Sequence, residues 1–258
     1  GLVYSTPEGA PEDPSELPED APLFAPLREE QETYDASEDG GKQANYLVEY
    51  AQQYDTVEID QWFWSLFGTD TIGLPEHDDV MAYKRAVGDD FRFTVKAPNS
   101  VTLTHFYEKA PDGSLRPNPY FLSVKLFKAF LNRLAPLGPL LGPIMFQFEY
   151  LNKQKMPTQA RFQALFGEFA EEIPREISND EGDRTWPVTY GLEVRNPKYF
   201  NGPYFQLLEA LELVPVLIQG YWMPDIREVY AEWREQILVH DTVVIRLMGP
   251  DRKAIEKL

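Results

Sequence analysis

The feature that most limits the fold is a regular alternation of helical patterns and short apolar segments between residues 44 and 258. The apolar segments are rich in β-branched and aromatic residues, which is typical of strands, and each follows a stretch in which apolar residues recur at helical spacing. Alternation of this kind predicts parallel βαβ units. The predicted strands are Thr56–Ile59, Phe91–Ala97, Pro143–Phe148, Thr189–Val194, Val214–Ile218 and Thr242–Leu247.

Helices are predicted before each of these strands. One is expected around Glu76–Val87, and Ser123 is a candidate N-cap for the next. The other helices are predicted from apolar residues three and four positions apart. These residues are Leu47, Tyr50, Ala51 and Tyr54; Phe162, Leu165, Phe166 and Phe169; Phe205, Leu208 and Leu211; and Ile226, Val229, Trp233 and Ile237.

Each predicted strand has one apolar face and one face that becomes polar toward its carboxyl end, since side chains alternate faces along a strand. Strands of an open doubly wound sheet are covered by helices on both faces and should be apolar on both. In a closed barrel, polar groups can meet on the inner face. The pattern therefore predicts an α/β fold of the TIM-type (β/α) barrel class. The inward polar set is Glu58, Asp60, Lys96, Gln147, Glu149, Glu193, Arg195, Gln219 and Arg246.

Negative charge is concentrated near the start of the chain. The formal net charge is −18, and residues 1–45 contain 12 acidic and 2 basic residues, a local balance of −10. This stretch is rich in proline and poor in branched aliphatic residues, so it cannot bury enough apolar surface to offset its ordering entropy. We expect residues 1–43 to form an acidic surface excursion, either a solvated loop or a docking arm for a basic partner. Residues 44–258 are predicted to form the barrel body as a single domain.

Composition argues against several classes of protein. No apolar run approaches the ~20 residues of a membrane span, so we expect a soluble protein with no membrane partner. The acidic excess argues against a broad nucleic-acid surface. The chain has no cysteine, which excludes disulfides and cysteine nucleophiles and favours a cytoplasmic location. No nucleotide-cofactor motif is present, and the oligomeric state is left open.

Five segments resemble successive motifs of the YecE-like family, the domain of unknown function numbered seventy-two. In chain order they are YDTVEIDQWFW, FRFTVKAPNSVTLTHFY, LGPIMFQFEYLNKQKMP, YGLEVRNPKYF and VVIRLMGPDRK, which cover most of residues 44–253. The resemblance implies a TIM-type barrel but supplies no reaction. It also implies that strands two to seven are present, with strands one and eight missing from the chain as given.

The chain departs from the usual family pattern at three places. Asp60 stands where the family usually has asparagine, and Phe148-Glu149 replaces a pair of prolines. Met248 occupies a position where the family commonly has histidine. A family mechanism that requires this histidine is therefore not expected here.

The polar residues at the predicted carboxyl ends of the strands are sufficient for acid–base catalysis, and barrel enzymes place catalytic groups there. We expect Glu58 or Glu193 to act as general base and His105 as general acid. Alternatively, His105 hydrogen-bonds a loop backbone, and the whole set forms a buried structural ion-pair network. Asp60 belongs to the predicted catalytic set, and the predicted anion clamp consists of Lys96, Arg195 and Arg246.

Further residues are predicted to bind substrate. Gly249 to Lys253, with the sequence GPDRK, follow the last predicted strand, where barrel loops often bind phosphate, although the same sequence suits an ordinary turn. Trp64 can stack on a sugar or base, or pack in the core. The predicted substrate-binding residues are Gln147, Arg195, Gln219, Arg246, Gly249, Arg252 and Trp64.

Three functional hypotheses follow. The first is an enzyme, of hydrolase, isomerase or lyase type, acting on a small anionic metabolite that is phosphorylated or contains a sugar. The second is a metal-dependent phosphodiesterase acting on nucleic acid, and the third is a non-catalytic ligand-binding module. Carboxylates with His105 are compatible with a divalent metal, but no recognisable metal-ligand spacing is present, so no metal site is assigned.

Overall fold

The computed structural model describes the backbone at residues 3–5 and 25–26, and residues 46–67, 71–179, 181–220 and 223–248 in full. Its strands, in chain order, are β1 (Val3–Ser5), β2 (Ala25–Pro26), β3 (Thr56–Ile59), β4 (Leu66–Phe67), β5 (Thr71–Gly73), β6 (Arg92–Lys96), β7 (His105–Lys109), β8 (Leu115–Pro117), β9 (Leu141–Gln147), β10 (Glu176–Ser178), β11 (Thr185–Pro187), β12 (Tyr190–Glu193), β13 (Val214–Gln219) and β14 (Val244–Leu247).

Helices separate the strands that run parallel. They are α1 (His77–Arg85), α2 (Asn99–Thr102), α3 (Val124–Leu134), α4 (Gln159–Glu172), α5 (Gly202–Ala210) and α6 (Ile226–Leu238). Residues 46–50 are also helical. Short 3₁₀ turns occupy Gln61–Phe63, Ala135–Leu140 and Pro197–Tyr199.

The chain divides into two compact units, the first made of residues 1–144 and 173–188 and the second of residues 145–172 and 189–258. In the first unit, β3 pairs in parallel with β6, with Ile59 opposite Val95, and β6 is the neighbour of β9. Gly142 allows this last approach, because a Cβ there would lie 3.1 Å from the Phe93 carbonyl oxygen.

The second unit contains the end of β9 followed by β12, β13 and β14 in neighbouring positions. The pairs β12–β13 and β13–β14 are parallel, with Leu192 opposite Pro215 and Ile218 opposite Arg246. The Phe148 amide, just after β9, donates to the Glu193 carbonyl at 2.9 Å. The carboxyl ends of these strands are thereby aligned.

Aromatic packing joins strand and helix in the second unit. Phe146 and Phe148 of the β9 segment contact Phe166 of α4 edge-to-face, with ring centroids 5.5 and 5.6 Å apart.

The helix α3 of the first unit has the predicted cap. Ser123 accepts a hydrogen bond from the Leu126 amide at 3.2 Å. The apolar face of α3 is buried, because aliphatic and aromatic residues recur at helical spacing.

Small antiparallel elements accompany the parallel strands, and the sequence patterns did not predict them. β1 pairs with β2 and β5, and β5 pairs with β4. The pairs β7–β8 and β10–β11 form two further ribbons. Within the predicted surface excursion at residues 1–43, the structure describes only β1 and β2.

These observations confirm an α/β fold with a parallel sheet. All six predicted strands are present, with ends that differ from the prediction by two residues or fewer. The described residues do not show closure into a barrel of eight strands, so that closure and the single barrel domain over residues 44–258 stay predictions. One expectation about packing was not met: Ile245 and Leu247, on the predicted apolar face of β14, are 54% and 77% exposed within the described structure.

Candidate functional site

The first unit brings three predicted catalytic residues together at the carboxyl ends of β3 and β6. The ammonium of Lys96 lies 2.5 Å from Asp60 Oδ1 and 3.4 Å from Glu58 Oε1. Lys96 is buried, whereas the side chains of Glu58 and Asp60 are 28% and 58% exposed. This arrangement, called the lysine group below, has a formal charge of −1 and carboxylates that water can reach.

A buried hydrogen-bond network holds the loops that carry the lysine group. Asn99 Oδ1 accepts from the Ser65 amide, the Ser65 hydroxyl and the Leu66 amide, each at 3.0 Å. Ser65 Oγ is also 2.8 Å from Ser100 Oγ. The loop after β3 is thereby tied to the start of α2 after β6, which fixes the two strand ends relative to each other.

The aromatic residues after β3 divide between the core and the surface. Trp62 and Phe63 are buried, and the Lys96 ammonium lies 5.4 Å from the centre of the Phe63 ring. Trp64, predicted to bind substrate, is 57% exposed and meets Phe63 edge-to-face at 5.1 Å. Of the three, only Trp64 presents a large accessible surface to a ligand.

His105, the predicted general acid, begins β7 and is half-buried. Its Nδ1 lies 2.9 Å from the Thr104 hydroxyl oxygen. The side chain of Asn118 fixes this turn by donating to the carbonyls of Ser100 and Leu103 at 2.8 and 2.7 Å. These contacts agree with a structural role and leave the catalytic role a prediction.

The second unit assembles four more predicted residues, called the arginine group below: Gln147, Glu193, Arg195 and Arg246. Arg246 Nη1 donates to Glu193 Oε2 at 2.6 Å and to Gln147 Oε1 at 2.8 Å. Arg195 Nε donates to the other oxygen of Glu193 at 3.1 Å. Glu193 is fully buried, whereas the side chains of Arg246 and Arg195 are 13% and 30% exposed.

Strand alternation explains why these side chains meet. Gln147 ends β9 and Glu193 ends β12, while the following residues, Phe148 and Val194, are fully buried. Side chains two positions apart share a face, so Arg195 follows Glu193 toward the polar side. From α5, the buried Tyr204 donates to the Leu192 carbonyl, next to Glu193, at 3.0 Å. Burial, reinforced by the negative charge of Glu193, raises the pKa of the Tyr204 phenol, which therefore stays neutral.

Glu149, one of the predicted inward polar residues, forms an ion pair with Lys155, which the sequence analysis did not identify. Its Oε2 is 2.5 Å from the Lys155 ammonium, whereas Oε1 is buried and has no hydrogen-bond partner within the described residues. The loop between them is held by Asn196, which donates to the Leu151 carbonyl and accepts from the Leu151 amide. The sequence placed Glu149 on the polar face, but its partner Lys155 lies beyond the strand pattern.

Gln219, predicted to bind substrate, has a structural contact. Its Oε1 accepts a hydrogen bond from the Ile226 amide at 2.9 Å, at the start of α6. Asp225 caps the same helix by accepting from the Arg227 amide at 2.8 Å. Gln219 thus ties the end of β13 to the helix that follows. The predicted phosphate-binding residues Gly249, Arg252 and Lys253 lie outside the described residues.

Within the described residues, no group of three or more His, Asp or Glu side chains is placed to hold a metal ion. No helix in the same part of the chain is both long enough and apolar enough to cross a membrane.

Sequence comparison finds similarity to uncharacterised proteins. A family model described as "Protein of unknown function DUF72" matches residues 28–257. The UPF0759 protein YecE of Escherichia coli K12 is 26% identical over 155 residues, which is 60% of this chain and 43% of that protein, and the protein of the same name from strain O157:H7 gives the same values. The chain thus spans less than half the length of the curated relatives it matches.

Structural comparison finds proteins described as DUF72 family members. One from Enterococcus faecalis V583 aligns with a TM-score of 0.50 at 18% identity, covering 81% of this chain and 65% of the other. Another from Thermotoga maritima MSB8 has a TM-score of 0.49 at 15% identity, covering 83% of this chain and 68% of that one. The match to the Enterococcus faecalis protein supports a shared fold and carries no information about activity.

Proposed function

Because this chain belongs to the DUF72 family, whose description gives no function, we propose from the site geometry that it is an enzyme acting by acid–base chemistry on a small anionic metabolite. Arg195 and Arg246 bind the anion in this proposal. The observation that supports this proposal is that both guanidinium groups donate to the buried carboxylate of Glu193.

The arginine group is suited to anion recognition. Its four side chains carry two positive charges and one negative charge, a formal balance of +1. A guanidinium presents N–H donors in a fixed fork that matches phosphate or carboxylate oxygens. Because both arginines are partly exposed, a phosphorylated or carboxylated metabolite can approach them from solvent.

The geometry favours Glu149 over Glu193 as the general base. Glu193 is fully buried and each of its oxygens already accepts from an arginine, so it is placed to orient the clamp. Glu149 lies two residues after Gln147, and its buried Oε1 accepts no hydrogen bond from the described residues. Lys155 forms an ion pair with the other carboxylate oxygen, Oε2.

The proposal extends to the fold class and the cellular location of the protein. Parallel strands joined through helices and ending in polar side chains support closure into a TIM-type barrel, the class in which reacting groups stand at the carboxyl ends of strands. The absence of cysteine supports a cytoplasmic location. Proton transfer alone suits a hydrolase, isomerase or lyase, so no redox cofactor is invoked.

The binding part of the proposal is tested by thermal shift with inorganic phosphate and a panel of phosphorylated and carboxylated metabolites. A ligand present at about 100 times its Kd stabilises the folded state by about 2.7 kcal/mol, a rise of roughly 5–10 °C in Tm for a chain of this size. We expect Arg195→Gln to abolish the rise. The matched control is Arg161→Gln, on the exposed side of α4, and it should respond as the wild type does.

The catalytic part is tested on any metabolite that binds. Following its conversion by NMR, we expect Glu149→Gln to retain the thermal shift and to lose turnover by at least 100-fold, the contribution typical of a general base. Binding without turnover in the wild type would favour the ligand-binding module instead. A thermal shift that survives Arg195→Gln would reject the anion site.

A further inference from the structure

A groove in the first unit, away from the lysine group, has the composition of a second binding site. Its volume is about 670 Å³, and it is enclosed by the end of α1, residues 135–140 and the β10–β11 ribbon. Residues 137–140 immediately precede β9, and Val87 and Asp89 precede β6. The groove therefore lies toward the amino ends of these strands, whereas Lys96 and Asp60 stand at carboxyl ends.

One wall of the groove is a fixed aromatic surface. Trp186 of β11 is half-buried, and its indole packs over Gly138, where a Cβ would lie 3.3 Å from two ring carbons. Gly138 has φ of +55°, in the left-handed region that a side chain rarely adopts. A side chain at residue 138 would be strained at this φ and would press on the indole, so glycine suits the position beneath Trp186.

Three cations line the same groove as this aromatic wall: Lys84 and Arg85 at the end of α1, and Arg184 beside β11. The structure gives none of them an ion pair with another described residue. Basic residues at a helix carboxyl end favour the helix dipole, which explains Lys84 and Arg85 as structural choices. That explanation does not extend to Arg184, which belongs to the β10–β11 ribbon.

The acidic residues of the groove only partly offset these cations. Asp89 and Glu181 also line it, which leaves a formal balance of +1. Glu181 Oε2 accepts from the Asn179 side chain at 2.7 Å, so one acid is already engaged in the turn of the ribbon. A ligand with a flat ring for Trp186 and an anionic group for the cations would satisfy both features of the wall.

We propose that this groove binds a small planar aromatic anion of the nucleoside monophosphate type, with the ring against Trp186 and the phosphate at Arg184 and Lys84. The inference does not depend on the function proposed for the arginine group. It concerns residues of the first unit only.

Isothermal titration of the full chain with adenosine monophosphate tests this site, with adenosine and inorganic phosphate as the two partial ligands. We expect the complete nucleotide to bind at least tenfold more tightly than either part. Arg184→Glu should weaken the nucleotide at least tenfold and leave adenosine unchanged. Trp186→Ala should weaken the nucleotide and adenosine, and Trp186→Tyr, which retains a ring, should restore most of the affinity.

Two controls separate this groove from other sites. Arg161→Glu makes the same charge change on an exposed position outside the groove and should leave nucleotide binding unchanged. Repeating the titration in Arg195→Gln removes the arginine group as a competing phosphate site, so the nucleotide binding that is retained there belongs to the groove. Nucleotide affinity that survives Arg184→Glu, falls equally in Arg161→Glu, or is lost in Arg195→Gln would overturn the proposal, as would a wild type that binds no nucleotide.

Discussion

Arg246 Nη1 donates to Glu193 Oε2 at 2.6 Å, joining the last described strand of the chain to a carboxylate with no exposed surface. A buried carboxylate that loses a charged donor retains its desolvation penalty. The pair therefore makes stability and the proposed anion site depend on the same contact.

Replacing Arg246 with methionine should destabilise the protein by roughly 3 kcal/mol, the lower end of the range for breaking a buried ion pair. The lower end applies because Arg195 Nε still donates to Glu193 Oε1. Urea unfolding followed by circular dichroism measures the loss. Adding Glu193→Gln to the variant should recover part of it, whereas losses that simply add would show that the two residues are not coupled.

Replacing Lys96 with methionine should cost less, about 1 kcal/mol, the upper end of the range for solvent-accessible ion pairs. The carboxylates that lose the ammonium, Glu58 and Asp60, are partly exposed and regain water. Urea unfolding of this variant beside Arg246→Met tests the difference. A loss for Lys96→Met equal to or larger than that for Arg246→Met would mean that the lysine group is effectively shielded from solvent.

The sequence could predict the parallel strands because each carries its own signal, a short apolar run after a helical pattern. Thr56–Ile59 was predicted with the ends that β3 has, and Ser123 was identified as the cap of α3. The antiparallel ribbons were missed. β4 has two residues and β10 has three, too few for alternation to be recognised against the surrounding turns.

The sequence predicts which residues belong to the candidate site, but not which of them contact one another. Alternation placed Gln147, Glu193 and Arg246 on polar faces, yet nothing local indicates that one arginine nitrogen bridges the other two residues. Gln219 has the same strand position as Gln147, but its side chain accepts from the first amide of α6 instead. Only the three-dimensional neighbours of each strand end decide between these outcomes.

Asn99 is expected to stabilise the loops beside the lysine group. Changing it to alanine removes the acceptor of two backbone amides, at Ser65 and Leu66. Since unsatisfied buried donors cost about 1–3 kcal/mol each, we expect a loss of roughly 2–6 kcal/mol in urea unfolding. Asn152→Ala is the matched control, because Asn152 accepts from two backbone amides in an exposed turn. Equal losses in both variants would contradict a special role for the buried network.

His240, in the connection between α6 and β14, predicts a pH dependence of stability. Burial lowers its pKa from the ordinary value of 6.5, and the nearby charge of Glu209 offsets this only partly. Its Nε2 is buried and has no hydrogen-bond partner within the described structure. Because the unfolded chain takes up the proton first, the contribution of neutral His240 to stability is fully present above pH 6.5. This contribution is lost as the pH falls from 6.5 through the lowered folded-state pKa.

Urea unfolding of the wild type and of His240→Gln between pH 7.5 and 5.5 isolates the contribution of His240, since carboxylates common to both proteins cancel in the difference. The wild type should lose more stability than the variant over this interval. Parallel curves, or a wild type that gains stability on acidification relative to the variant, would show that His240 is protonated as readily in the folded protein as in the unfolded chain.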